Sequence, residues 1–120
     1  RYKKVKVVVP DSYHQVIKIK SKTCAWTHGH MSGGSGNPET KIENWWKGQM
    51  YGHLPSGEAE ILVTGHYHHF RSKQQGNRTW FQTPSLDKSI DFTSRTGLWS
   101  HPGVLTFTVN KKGWDNLAIL

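Results

Sequence analysis

Two short histidine groups carry the residue types most suited to chemistry, Thr27-His28-Gly29-His30 and Gly65-His66-Tyr67-His68-His69. His66 and His68 stand two apart, so an extended backbone would point both imidazoles to one side, and Gly65 permits a sharp turn before them. His28 arrives in the same way from another apolar run. Three neutral imidazoles on loops at one edge of a sheet suit a borderline first-row ion such as Mn, Fe, Zn or Ni, and spacing alone does not choose among them. The plainer reading is surface-loop histidine in a chain that holds eight. Two Gly-and-His groups together favour the metal. His30 and His69 neighbour the ligand positions and are candidates for substrate or outer-shell contacts. His14, His53 and His101 fit no ligand pattern, and no residue of the chain is assigned a catalytic acid or nucleophile role.

Positioning those loops requires strands that end beside one another. Thr23–Thr27 and Glu60–Thr64 read as buried strands, the second through its apolar triplet Ile61-Leu62-Val63, and each stops at a histidine group. Between them Asn37-Pro38 supplies an N-cap and a first-turn proline, and Ile42, Trp45, Trp46 and Gln49-Met50 follow at helical spacing, predicting one clear helix that ends near Gly52. Val5–Val9 and Val16–Ile19 read as strands flanking the turn Pro10-Asp11-Ser12. Beyond the second histidine group, Thr79–Gln82, Val104–Val109 and Trp114–Leu120 read as strands of a sheet edge, separated by a polar stretch from Asp87 to Thr96.

The 120 residues hold 16 Lys and Arg against 8 Asp and Glu, a formal charge of +8 that favours phosphate-bearing partners over acidic proteins. Much of the excess lies at Arg1, Lys3, Lys4 and Lys6 and at Lys18, Lys20 and Lys22, where alternation points to a solvated strand face. The lone Cys24 sits in an apolar run and reads as a buried structural thiol in a reducing, cytoplasmic setting. No run approaches the roughly 18 apolar residues that span a bilayer, so no membrane partner is expected. The length suits one domain. The opening at Arg1, directly before strand-like residues, reads as a piece of something longer. Of the six Trp, Trp26, Trp45, Trp46 and Trp80 belong to packing, whereas Trp99 in a loop can stack on a base.

Trp26-Thr27-His28-Gly29-His30 followed by Val63-Thr64-Gly65-His66-Tyr67-His68 resembles the last two metal blocks of the calcineurin-like metallophosphoesterases, in order, in strand context and in the roughly forty-residue gap. Less specifically, Gln82-Thr83-Pro84-Ser85-Leu86 resembles the segment after the final histidines, and Trp99-Ser100-His101-Pro102-Gly103-Val104-Leu105 is similar to bacterial and phage members. The resemblance implies an α/β fold, mostly β with one clear helix: the C-terminal half of a four-layer α/β/β/α sandwich. It implies two divalent metal ions, His28 and His66 on one and His68 on the other, and a bridging hydroxide that attacks a phosphate ester, as in a phosphodiesterase or nuclease.

The family's Asp-X-His, Gly-Asp and Gly-Asn-His blocks have no counterpart here, so this chain is expected to supply histidine ligands and to be inactive alone, with the missing half provided in cis or in trans. Asp87, Asp91, Glu58 and Glu60 are expected to be solvated or capping. Open sheet edges would invite self-association. The alternative reading is a basic nucleic-acid-binding module with incidental histidines.

Overall fold

The computed structural model describes residues 3–88, 93–95, 97 and 99–120. Its central feature is a sheet of five strands in the order β1-β2-β3-β5-β4, formed by β1 (His14–Ile19), β2 (Lys22–Thr27), β3 (Ile61–Thr64), β4 (Arg71–Gln75) and β5 (Arg78–Gln82). The three inner strands are parallel, and the outer two run antiparallel to their neighbours. One helix, α1 (Pro38–Tyr51), crosses between β2 and β3, and the hairpin β6 (Leu105–Asn110) and β7 (Gly113–Ile119) forms a separate two-stranded sheet.

Strand register explains the layering. Ala25, Leu62 and Trp80 are opposite one another on adjacent strands and join Ile42 and Ala59 in a buried cluster on the helix side. The alternate row, Trp26, Val63 and Phe81, faces the other way. Together with Cys24 and Ile61 it packs against Leu105, Phe107, Val109, Trp114 and Leu117 of the β6–β7 sheet. Side chains on a strand alternate between faces, so these few residues cement helix, sheet and second sheet into three consecutive layers. All four residues of β3 are buried, as expected of a parallel strand covered on both faces. Fully burying an Ile, Leu or Phe side chain contributes about 1.5–3 kcal/mol, so the two clusters hold the layers together.

The helix begins as expected. The Asn37 side chain accepts from the backbone N–H of Thr40 at 2.9 Å, Pro38 occupies the first turn, and Gly52 closes the helix by donating to the Gly48 carbonyl at 2.9 Å. A 3₁₀ turn at Pro55–Glu58 then leads into β3. Its Ser56 is tied back to α1, since Trp46 Nε1 donates to the Ser56 carbonyl at 3.0 Å and Ser56 Oγ donates to Gln49 Oε1 at 2.7 Å.

Three expectations need correction. Val5–Val9 is not a strand: Val5, Val7, Val8 and Val9 are all more than half exposed, and no strand among the described residues pairs with them. β-branched residues favour a strand only where a partner accepts the ladder, and Pro10 removes a donor at its end. The partner of β1 is β2, joined through Lys20-Ser21 with Lys20 at φ 58°. Finally, β5 lies inside the sheet rather than at its edge, because the polar β4 turns back through Gly76-Asn77 to cover it. Of the cations, Lys18 and Lys20 are exposed as expected, whereas Lys22 is 3.0 Å from Glu60. Arg1 and Asp91 lie outside the described residues. Among those residues no helix is long and apolar enough to cross a membrane.

Candidate metal centre

Parallel pairing places Thr27, Thr64 and Gln82 in one row at the C-terminal ends of β2, β3 and β5. The segments that follow, starting at His28, Gly65 and Thr83, therefore emerge side by side. Thr83 fastens two of them, its N–H and hydroxyl both donating to the Thr64 carbonyl at 2.8 and 3.2 Å. From beneath, the buried Trp80 indole N–H donates to Thr64 Oγ1 at 2.9 Å. Gly29, at φ 94°, lets the first loop lie against the second: a Cβ there would already be in contact with the Gly65 carbonyl and with Ile42. Ser32 Oγ donates to the Gly29 carbonyl at 2.6 Å and lies 3.5 Å from the Tyr67 hydroxyl, bridging both histidine loops.

His66 Nδ1 lies 3.2 Å from His28 Nε2, although the two residues are 38 apart in sequence. The His30 ring completes a cluster, with centroid separations of 5.1 Å to His28 and 6.2 Å to His66, and Tyr67 contacts the His66 ring edge-on at 4.9 Å. Burial holds the His66 imidazolium pKa below its ordinary value, helped by the positive charge that His28, His30 and His68 would carry. Neutral imidazole, the form that ligates metal, is thereby favoured.

His68 is close enough for its charge to act on His66, whereas His69 turns away and donates from Nδ1 to the Tyr67 carbonyl at 3.1 Å. The extended geometry expected of His66 and His68 is not adopted. Both occupy the left-handed region, at φ 68° and 59°, so the loop coils rather than alternates. Non-glycine residues are held there at a cost of about 1–3 kcal/mol each, a strain that clusters at functional sites. Sequence reasoning overlooked Ser32 and Tyr67 as the connection between the loops; the only signal was an aromatic residue set between two histidines.

Two imidazole nitrogens bound at 2.0–2.1 Å to one tetrahedral ion stand about 3.3 Å apart, close to the observed 3.2 Å. The pair fits one edge of a coordination sphere. The donor set is incomplete, however, since among the described residues no three His, Cys, Asp or Glu side chains are grouped to hold an ion. The acids stand elsewhere: Glu58 is exposed on the 3₁₀ turn, Glu60 pairs with Lys22, and Asp87 accepts a hydrogen bond from Ser85 Oγ at 3.2 Å. Of the remaining histidines, His14 packs on Trp45 and bonds Thr27 Oγ1 at 3.0 Å, His101 packs on Trp99, and His53 is exposed.

The described residues form a mixed α/β fold, mostly sheet with one main helix, that matches a metallophosphoesterase-like architecture among solved structures. Among solved structures, Vps29 of Entamoeba histolytica in complex with zinc superposes with a TM-score of 0.62 at 21% identity, over 84% of this chain and 49% of that one. A single-site variant of the same Entamoeba protein gives 0.54 at 17% identity, over 98% and 66%. A conserved uncharacterised protein of Streptococcus pneumoniae TIGR4, described as a predicted phosphoesterase, gives 0.51 at 16% identity, over 84% and 48%. These neighbours are members of the calcineurin-like metallophosphoesterase superfamily. The chain spans about half the length of the first of them. No family model matches the sequence, and no curated protein matches it.

Proposed function

We propose that this chain supplies the histidine ligands of a divalent-metal phosphoesterase centre of bacterial or phage type. The observation that carries the reading is the His28–His66 nitrogen pair, 3.2 Å apart at the ends of adjacent parallel strands. His28 and His66 would hold one ion and His68 a second, of Mn, Fe, Zn or Ni. Zinc in the Entamoeba Vps29 structure is in keeping with a divalent ion in this fold. Such ions supply Lewis-acid stabilisation of phosphoryl oxygens and activation of water.

The chain's own residues hold and shape the site. Trp80 and Thr83 fix the carbonyl and hydroxyl of Thr64 just before Gly65-His66, and Ser32 joins the two histidine loops. The exposed His30 ring, packed beside the pair, would donate to a phosphate oxygen, and the His69 ring is pinned by the Tyr67 carbonyl. Carboxylate ligands come, in this reading, from a further segment in cis or in trans, and the 120 residues alone do not turn over. A charge of +8 favours phosphodiesters, nucleic acid among them. The lone Cys24, free and buried, is in keeping with a reducing, cytoplasmic setting for such an enzyme.

Calorimetric titration with Mn²⁺ and Zn²⁺ tests the ligand assignment. Binding lost in His28→Ala and in His66→Ala, and hydrolysis of a phosphodiester gained on joining a carboxylate-bearing half, are the expected results. Equal binding by wild type and both variants would sink the assignment. Salt-sensitive, chelator-insensitive nucleic-acid binding in its place would favour the basic binding module.

A further inference from the structure

The histidine loop between β3 and β4 is tied into a strained shape. The Tyr67 N–H donates to the Gly65 carbonyl at 2.8 Å, closing a three-residue γ-turn with His66 at its centre at φ 68°, and His68 follows at φ 59°. A γ-turn of that hand is the rare, strained form, and left-handed backbone at residues other than glycine persists only where the surroundings over-determine it. What holds this one lies at the end of β5. Thr83 donates twice to the Thr64 carbonyl at the root of the loop, and its neighbour Gln82 donates from Nε2 to the His69 carbonyl at the far end, at 2.7 Å. Thr64 and His69 are five residues apart, a separation that extended backbone would stretch to ~17 Å. Fastened at both ends to consecutive residues, the chain between them has to coil.

Gln82 is an unexpected residue for its place. It is 0% exposed, and its Oε1 is buried with no hydrogen-bond partner among the described residues. A carbonyl only accepts, so the His69 carbonyl fixes which end of the amide faces it. Burying an amide is unfavourable unless its polar atoms are bonded, and half of this one is not. Packing alone would be better served by a methionine or a leucine of similar size. The bond to His69 is what Gln82 supplies and an apolar residue would not.

We infer that Gln82 is a positioning residue of the histidine centre: by holding the His69 carbonyl it maintains the coil on which His66 meets His28 and on which His68 is carried. The inference rests on the proposed function for the role of those histidines as ligands, but the coil itself is observable without metal. Residues that orient metal ligands from outside the coordination sphere act in this way, through geometry and not through contact with the ion.

The test compares the 120-residue chain with Gln82→Met, which keeps the side-chain length without the N–H, and with Gln82→Glu, which keeps the shape and has no donor at neutral pH. In chelator, the ring-to-ring nuclear Overhauser effect between His28 and His66, whose centroids are 5.1 Å apart, should be present in wild type and lost in both variants. That between Phe81 and Phe107, 5.0 Å apart in the core, should persist and report intact layers. Zn²⁺ affinity by calorimetry should fall ~10-fold or more. Absence of the His28–His66 effect from wild type, or its full retention in both variants, overturns the clamp. Loss of the Phe81–Phe107 effect alongside it in both variants also overturns it, making Gln82 a packing residue only. Unchanged Zn²⁺ affinity in both variants, where His66→Ala does lose Zn²⁺, overturns the positioning of ligands. If His66→Ala instead binds as wild type does, the ligand assignment fails, and the experiment in chelator still decides whether Gln82 holds the coil.

Discussion

Replacing Trp80 with Phe probes the joint between core and site. Trp80 is 3% exposed, packs with Ala25, Leu62, Ile42 and Ala59, and donates its indole N–H to Thr64 Oγ1 at 2.9 Å. The smaller ring leaves a void of roughly 40 Å³, which costs about 1 kcal/mol at the usual dependence on cavity volume. Losing the hydrogen bond while the 1%-exposed Thr64 stays buried adds about 1–2 kcal/mol. The sum, about 2–3 kcal/mol, corresponds to a fall in Tm of roughly 10 °C for a domain of this size. Urea unfolding followed by circular dichroism measures it directly. The variant Thr64→Val strands the indole N–H instead, and the double variant removes both partners, so it should be less destabilised than the two single losses added together. A Trp80→Phe loss below ~0.5 kcal/mol, or strict additivity in the double variant, would refute the argument that this bond is what anchors Thr64.

Gly57→Ala should cost at least ~2 kcal/mol in the same unfolding assay, because a Cβ there meets the backbone of Gln49 and Met50 in α1 rather than a yielding side chain. His66→Gly should be more stable than His66→Ala by about 1 kcal/mol, since only glycine adopts φ 68° without strain, while calorimetry finds metal binding lost in both. Asn37→Ala should lower stability by about 1 kcal/mol through loss of the bond to the Thr40 N–H. For pH, burial lowers the pKa of His14 and of His66 below 6.5 in the folded chain. The unfolded chain then binds protons first, so stability is full above pH 6.5 and declines as pH falls through the window between 6.5 and the folded values. His14→Gln should flatten the part of that decline due to His14 in denaturant titrations at successive pH values.

The helix and the inner strands were legible because their signals are local and redundant. Asn37-Pro38 and Gly52 punctuate a periodic segment, and Ile61-Leu62-Val63 needs cover on both faces. β4 was invisible for the opposite reason: Arg71-Ser72-Lys73-Gln74-Gln75 is an edge strand whose Lys73 pairs with Glu39 and Glu43 of α1. The Gly76-Asn77 pair was the one available hint of its hairpin. Val5–Val9 misled through propensity without a partner. At the site, the residue types and the two loops were readable from sequence, and so was their arrival at one sheet edge. The left-handed backbone at His66 and His68, and the Ser32–Tyr67 link, depend on how the loops meet and leave no period in the sequence.

The β2–α1–β3 crossover has a kinetic meaning. His28 and His66 are separated by 38 residues, and closing a chain segment of that length costs roughly 3 kcal/mol of entropy before any contact rewards it. Their approach is therefore a late event that requires helix and both strands to be docked. An imidazole resonance reporting the His28–His66 contact would serve as a clock for completion of the parallel core. Any ligand gripping both rings would act as a reversible crosslink across that closure, slowing unfolding of the crossover and leaving the β6–β7 hairpin, with its local pairing, to fray first.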